Sequence, residues 1–302
     1  MKTAPIVLFV YSRPLHTRRT VEALQKNKLA GESDLFVFSD GAKNREVELS
    51  VREVREYIRT ITGFKSVRIA ERDRNWGLAN SIIDGVTTVM NQYGRVIVLE
   101  DDLVTSPHFL GYMNEALHHY EHDTRAFSIG AYNFPAQTMP IREDYSWDTY
   151  ASFRCCSWGW GTWVDRWTRI DWGIADYPMF IRDRAAQKSF NRGGPDMTRM
   201  LTMQQERKID SWAIRFCYAH HVNRMYCIYP VKTLVMNVGL DHSGTHCGVD
   251  PRREHVSLDE GWKPHSFCPA DAIDERITRS FYDAFSPPKR SLIARVLQRL
   301  RR

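Results

Sequence analysis

The sequence predicts an α/β protein: a doubly wound, mostly parallel sheet flanked by helices. Three observations predict it. Apolar runs of strand length, Ile6–Tyr11, Leu35–Ser39 and Val96–Leu99, read as strands covered on both faces. Stretches of helical period separate them. The runs end on polar groups, Ser12-Arg13, Asp40-Gly41 and Glu100-Asp101-Asp102, at the carboxyl edge where such sheets bind ligands.

The elements follow in order. Ile6–Tyr11 opens the sheet, and with no small-residue cleavage site after it the run is a strand and not a signal peptide. A helix is expected from about Thr17 to Lys28, then a strand at Leu35–Ser39 closed by the turn dipeptide Asp40-Gly41. Val47, Val51, Val54, Ile58 and Ile61 recur at helical spacing with charges between them. Val67–Ala70 is a third strand, Leu78–Met90 an apolar helix and Val96–Leu99 a fourth strand. Thr105 or Ser106 followed by Pro107 is an N-cap and first-turn signature for the next helix.

After about residue 130 the alternation stops. Residues 145–172 carry Trp147, Trp158, Trp160, Trp163, Trp167 and Trp172, with Gly159 and Gly161 among them. Asn191–Pro195 reads as a loop, Ser211–His221 as a helix, and Met225–Tyr229 and Lys232–Val235 as short strands. Residues 237–248 are glycine-rich and read as mobile, and 249–286 as irregular with a short helix near 271–284. The expected organisation is a nucleotide-binding half (1–104), an acceptor-binding and catalytic half of the same domain (105–250), an extension (251–286) and a basic tail (287–302).

Composition narrows the function. With 302 residues, 43% of them hydrophobic and 26% charged, the chain can bury a core without staples and is not a disordered one. No apolar run approaches the ~20 residues that span a bilayer. The net charge is +6, and Lys289, Arg290, Arg295, Arg299, Arg301 and Arg302 supply all of it, so residues 1–286 are neutral overall. A nucleic-acid-binding body would carry that charge on its folded part. The tail instead places Leu292, Ile293, Val296, Leu297 and Leu300 on one helical face opposite arginines, as in a helix lying on an anionic bilayer; the alternative is a solvated terminus. The six cysteines include no C-x-x-C pair and read as free thiols in a reducing compartment.

Glu100-Asp101-Asp102 carries the chemistry. Three acids held between a buried strand and a capped helix repel one another unless a cation joins them. Hard oxygen ligands select Mg²⁺ or Mn²⁺, held through one or two carboxylates with water and phosphate completing the shell. A phosphate-bearing ligand accounts for both the acids and their position.

The segment VIVLEDDLVTSPHFLGYMNEAL resembles the metal-binding segment of GT-A (Rossmann-like) glycosyltransferases. More narrowly it resembles the N-acetylglucosaminyltransferase I-like enzymes and their bacterial relatives in surface-polysaccharide clusters, with bacterial family 2-like enzymes also similar. The likeness runs in order over roughly residues 5–248: VYSRP, FSDG, the acidic triplet, SIGAYN, SFRCCSWGWGTWVDRW, KIDSW and GLDHSGTHCG.

The resemblance implies roles. Asp102 would bind the metal directly, Asp101 the donor's ribose or sugar, and Glu100 a donor hydroxyl or water. Asp40 would accept from the uracil imide with Arg13 nearby on the nucleotide. Apart from the resemblance, Asn75 and Asn80 stand at the start of their helix, a place from which to touch the nucleotide. Asp210 would be the general base that takes the acceptor's proton, and Trp158, Trp160 and Trp163 a sugar-stacking wall. Ser243, Thr245 and His246 would reach the diphosphate or its metal. Each has a plainer alternative: an Asp-Gly turn for Asp40, a surface arginine for Arg13, a helix cap for Asp210, core packing for any one tryptophan, an ordinary polar loop for residues 242–246.

The resulting expectation is an inverting transferase, dependent on Mn²⁺ or Mg²⁺, that moves a hexosyl or N-acetylhexosaminyl group from a UDP-sugar. The acceptor is a glycan or a lipid-linked oligosaccharide of O-antigen or capsule, met at the inner face of the cell membrane through the peripheral tail. No nucleic acid is involved. The rival readings are a sugar nucleotidyltransferase, disfavoured by the lack of a glycine-rich phosphate loop with a following lysine, and a non-catalytic glycan-binding scaffold.

Overall fold

Strand β1 (Ile6–Val10) pairs in parallel with β2 (Asp34–Ser39) on one side and β4 (Arg95–Glu100) on the other, and β2 pairs in parallel with β3 (Ser66–Glu71). This is the parallel half expected from the apolar runs. A computed structural model describes residues 2–241 and 257–286. Beyond β4 the sheet changes sense. It continues through β8 (Trp160–Trp163), β6 (Ala126–Gly130), β9 (Tyr226–Pro230) and β7 (Thr149–Ser152), in the order β3-β2-β1-β4-β8-β6-β9-β7. Strand β8 is antiparallel to both β4 and β6. A separate two-stranded ribbon joins β5 (Leu103–Thr105) to β10 (Val235–Asn237), and β10 starts at Val235, the last residue of the Lys232–Val235 span expected for that strand.

Alternation along the strands explains why they are apolar throughout. Ile6, Leu8, Val10, Leu35, Val37, Ile97 and Leu99 point into one core. The intervening Val7, Phe9, Phe36, Phe38, Val96 and Val98 point into the other. The first core is covered by α1 (Pro14–Gln25), α2 (Glu48–Ile58) and α4 (Phe109–His119), through Val21, Leu24, Val54, Ile58 and Leu117. The second is covered by α3 (Leu78–Tyr93), which contributes Ile82, Val86 and Val89. It is completed by α5 (Val164–Trp167), α6 (Tyr177–Phe180), α7 (Arg184–Phe190), α8 (Met197–Gln205) and α9 (Trp212–Asn223).

Residues 257–286 are part of the same body. Helix α10 (Glu275–Ala284) buries Ile277, Phe281 and Ala284 in the first core, and Tyr120 donates from its hydroxyl to the Cys268 carbonyl. The tail 287–302 lies outside the described residues, and so does the bilayer contact expected of it. Among the described residues no helix is long and apolar enough to cross a membrane.

One core group makes stability depend on pH. His220 is fully buried in α9. One ring nitrogen bonds the Phe216 carbonyl at 2.7 Å and the other pairs with Ser128 Oγ at 2.7 Å, so the ring fits as a neutral imidazole. Burial lowers its pKa to about 4. The unfolded chain therefore binds the extra proton first. The contribution is complete above the unfolded pKa of about 6.5 and is lost as pH falls toward 4, at most ~3 kcal/mol. The melting temperature is expected to drop over that window, and His220→Gln to flatten the drop. An unchanged slope in the variant would reject the assignment.

Candidate active site

The carboxyl edge of β1 and β4 is built around one arginine. Arg13 follows β1 at the N-cap position of α1, where Pro14 supplies a fixed first turn. Its carbonyl accepts from both the backbone N–H and the hydroxyl of Thr17, each at 2.9 Å. Its Nη2 donates to Asp101 Oδ1 and to Asp102 Oδ2, both at 2.8 Å. Asp101 is held further by the Tyr11 backbone N–H, and Thr20 Oγ1 donates to the Asp101 carbonyl at 2.9 Å. Asp101 and Asp102 are buried and Glu100 is half-buried.

The charges do not balance. Ionised together, Glu100, Asp101 and Asp102 outnumber Arg13 by two negative charges. Burial, then Asp102 and Asp101, push Glu100 up to about 8, and Arg13 only partly offsets this. Burial also raises Asp101, against the pull of Arg13. Burial opposes the charge on Arg13, but Asp101 and Asp102 outweigh it and hold its pKa above the ordinary arginine value. A further cation beside these acids would relieve their mutual repulsion. Arg13 Nη1 is buried with no hydrogen-bond partner among the described residues.

These residues fit a hard divalent cation, because the available oxygens are anionic and the charge deficit matches. No cluster of three His, Cys, Asp or Glu side chains that could hold a metal occurs among the described residues. A cation on Asp102 would therefore complete its shell from water and a diphosphate.

The chain also returns over these acids. After β10 the Val238 backbone N–H donates to the Asp102 carbonyl at 2.8 Å, and His16 bonds the Val238 carbonyl at 3.2 Å. A Cβ on Gly239 would stand 2.3 Å from Asp102 Oδ2 and 2.5 Å from Arg13 Nη1, so any other residue there would displace the Asp102 and Arg13 side chains. The start of the stretch read as mobile, residues 237–241, is thus tied to the site. Ser243, Thr245 and His246 lie outside the described residues.

Asp40 has a different immediate task from the one expected. Its oxygens accept from the backbone N–H groups of Gly41, Trp76 and Gly77 and from Asn75 Nδ2, at 2.8–3.1 Å. A carboxylate has about four acceptor positions, so reaching a base would require giving up one of these donors. Gly41 lets the 72–77 segment come this close: a Cβ there would meet the Arg74 backbone at 2.3 Å. Asn75 is consumed by the same clamp through Asp40 and the Gly41 carbonyl, while the exposed Asn80 donates to the Trp76 carbonyl.

The clamp sets the start of α3, and Asp210 stands beside it. Asp210 Oδ2 is 3.7 Å from the position a Cβ on Gly77 would take. Its other oxygen is 3.6 Å from Arg215 Nη2, and the side chain is 58% exposed. Ser211, not Asp210, caps α9, accepting from the Ile214 N–H. The carboxylate of Asp210 is therefore not committed to capping.

Two of the three tryptophans expected to stack on sugar do not line a site. Trp160 is 1% exposed and stacks on Trp167 and Trp212, and Trp163 is 2% exposed and donates from Nε1 to the Leu117 carbonyl. Both belong to the sheet core because β8 is an interior strand covered on both faces. Trp158 is half-buried. It lines an open cleft of about 240 Å³ with Tyr132, Arg154, Phe285 and, from the first turn of α9, Ala213 and Ile214.

Two features of the candidate site have no clear local signal. Gly239 was visible only as one glycine in a glycine-rich run, and the Trp76 and Gly77 amides that engage Asp40 lie 36 and 37 residues from it.

Solved structures with a similar layout are distant. A mannosyltransferase from Pyrobaculum calidifontis, in complex with GDP-Man and Mn²⁺, is 10% identical over 74% of this chain and 69% of that one, with a TM-score of 0.40. TarS of S. aureus is 11% identical over 76% of this chain but only 36% of its own, with a TM-score of 0.37. A UDP-glucose pyrophosphorylase complexed with UDP-glucose is 12% identical over 75% and 90%, with a TM-score of 0.38. No curated protein sequence matches significantly. The sequence pattern of the GNT-I family matches residues 1–217, and the chain belongs to that family of GT-A glycosyltransferases.

Proposed function

We propose that the protein is an inverting glycosyltransferase that uses a UDP-sugar and a divalent cation to extend a bacterial surface glycan. The single observation that carries this reading is the under-neutralised acidic edge around Arg13, closed over by Gly239. Such a site suits a cation bound together with an anionic diphosphate.

In this reading Asp102 would hold Mn²⁺ or Mg²⁺, which when bound would supply Lewis-acid stabilisation of the departing diphosphate. Arg13 Nη1 offers a buried donor to an anionic oxygen of the donor sugar-nucleotide. Asp101 and Glu100 orient the donor's hydroxyls. The Asp40 clamp shapes the start of α3, beside which the nucleotide would lie. Asp210 takes the proton from the acceptor hydroxyl as that oxygen attacks the anomeric carbon. One base opposite the leaving group gives a single displacement with inversion. Trp158 stacks against the acceptor in the cleft that shares its wall with α9. The acceptor is a glycan or a lipid-linked oligosaccharide, and the tail 287–302 keeps the enzyme on the cytoplasmic face of the membrane.

The test is a thermal-shift panel of UDP, GDP, CMP and dTDP, each with Mn²⁺ and with EDTA. A ligand at 100 times its Kd adds ~2.7 kcal/mol to stability, a shift of several degrees. UDP with Mn²⁺ is expected to give that shift and EDTA to abolish it. A larger shift with another nucleotide would replace the UDP assignment, and a flat panel would reject the metal–diphosphate site. Release of nucleoside diphosphate, and not pyrophosphate, separates transfer from nucleotidyl chemistry.

A further inference from the structure

Cys155 and Cys217 have no part in the proposed transfer, yet they form the closest thiol pair in the described residues. Cys155 lies in the loop after β7 and Cys217 in the middle of α9. Their sulfurs are 3.1 Å apart. The Cys155 backbone N–H donates to Cys217 Sγ at 3.3 Å, and Cys155 Sγ points at the Ala213 carbonyl at 3.4 Å. Arg154, fixed by two bonds to Asp196 at 2.8 and 3.0 Å, brings a guanidinium alongside. Both sulfur-bearing residues line the open cleft of about 240 Å³, so a molecule the size of a peroxide has a route to them.

The geometry points to a reversible disulfide between Cys155 and Cys217, formed with hydrogen peroxide as oxidant. Burial alone would raise both thiols. For Cys217 the Cys155 thiol, Arg154 and the Cys155 N–H outweigh burial and lower its pKa, whereas burial and Cys217 hold Cys155 well above its ordinary value. Cys217 is the attacking sulfur because it is the one that accepts the Cys155 N–H, at 3.3 Å, a contact that favours a thiolate there. Its thiolate attacks one peroxide oxygen, the O–O bond breaks, and hydroxide leaves and takes a proton to become water. The sulfenic acid left on Cys217 is attacked by Cys155, which gives up its proton as the S–O bond breaks and a second water leaves. Two thiols have then lost two electrons and two hydrogens, and the peroxide has become two waters. A phosphine or dithiol reductant returns the electrons.

The bond joins residues 62 apart in sequence and ties the Arg154–Trp158 loop to the helix that follows Asp210. Closing so long a loop restricts the unfolded chain, so the oxidised protein melts several degrees higher. An accompanying change in acceptor KM rests on the proposed transferase reading; formation of the bond does not.

The experiment treats the full chain with one equivalent of hydrogen peroxide, alkylates it after denaturation, and reads intact mass and peptide maps. The expected result is a loss of two hydrogens, a cross-linked peptide joining Cys155 to Cys217, a raised melting temperature, and reversal by phosphine. Cys156→Ser, the neighbouring cysteine, should keep the cross-link. Cys155→Ser and Cys217→Ala should each abolish it while retaining a cooperative melt. Oxidation confined to sulfenic or sulfinic acids, or a bond that forms through Cys156 or Cys227 instead, would overturn the proposal. None of these readouts needs a sugar nucleotide, so the pair and the transferase reading fail separately.

Discussion

Asp210→Asn is expected to lower turnover by about 10²–10⁴-fold, the usual contribution of a positioned general base, while affinity for UDP with Mn²⁺ stays within about threefold. The amide has the shape of the carboxylate and can still face Arg215, but it cannot accept the acceptor's proton. Stability should hardly change. The side chain is 58% exposed and its nearest charged partner is 3.6 Å away. The cap of α9 belongs to Ser211, so no helix terminus is lost. A surface change of this kind is normally worth within about 0.5 kcal/mol. Initial rates against acceptor concentration, together with UDP binding by calorimetry, decide the point. Weakened UDP binding in proportion to the lost rate would make Asp210 a donor-binding group, and full retained turnover would move the base elsewhere.

The parallel half of the fold was legible because its strands are buried on both faces. Ile6–Val10 and Val96–Leu99 need no partner information to read as strands, and the polar residues that end them mark the edge of the candidate site. The same two-sided burial hid the role of the tryptophans. Trp160 and Trp163 point to opposite faces of β8, but each face meets a core, so an aromatic-rich segment that resembles a sugar wall is largely interior. Composition cannot distinguish these cases, because the difference lies in which strand the segment pairs with. β8 pairs with β4, some 65 residues upstream.

Asp40 and Asp210 show a second limit. Asp40 stands out in the sequence for its place after a strand. Its partners are the amides of Trp76 and Gly77, brought in by the Gly41–Arg74 approach, which no local period encodes. Asp210 and Ser211 are both good N-cap types, and the plainer sequence reading puts the cap on Asp210, one residue too early. The bond from Ile214 N–H to Ser211 assigns it. The closure of residues 237–239 over Asp102 depends on β10 pairing with β5, about 130 residues apart, and glycine content suggested only mobility there.

Asp102→Ala is expected to abolish the Mn²⁺-dependent stabilisation by UDP and to cost about 10³-fold or more in turnover, since Lewis-acid stabilisation of a leaving group is worth several kcal/mol and each 1.36 kcal/mol is tenfold. The fold should survive. Arg13 keeps Asp101, which is also held by the Tyr11 N–H, and removing Asp102 relieves one of the charges that raise Glu100. Asp102→Asn provides the comparison that preserves volume, and thermal shifts of both variants with UDP, in Mn²⁺ and in EDTA, give the readout. The informative feature is Arg13, which already bridges both aspartates at 2.8 Å. If Arg13 alone carried the diphosphate, EDTA would not weaken UDP binding to the wild-type protein, and Asp102→Ala would free the guanidinium and tighten it. If a cation shares the load, the variant loses metal dependence and affinity together, whereas Asp210→Asn loses neither. The two substitutions thus separate the group that holds the leaving diphosphate from the group that prepares the nucleophile.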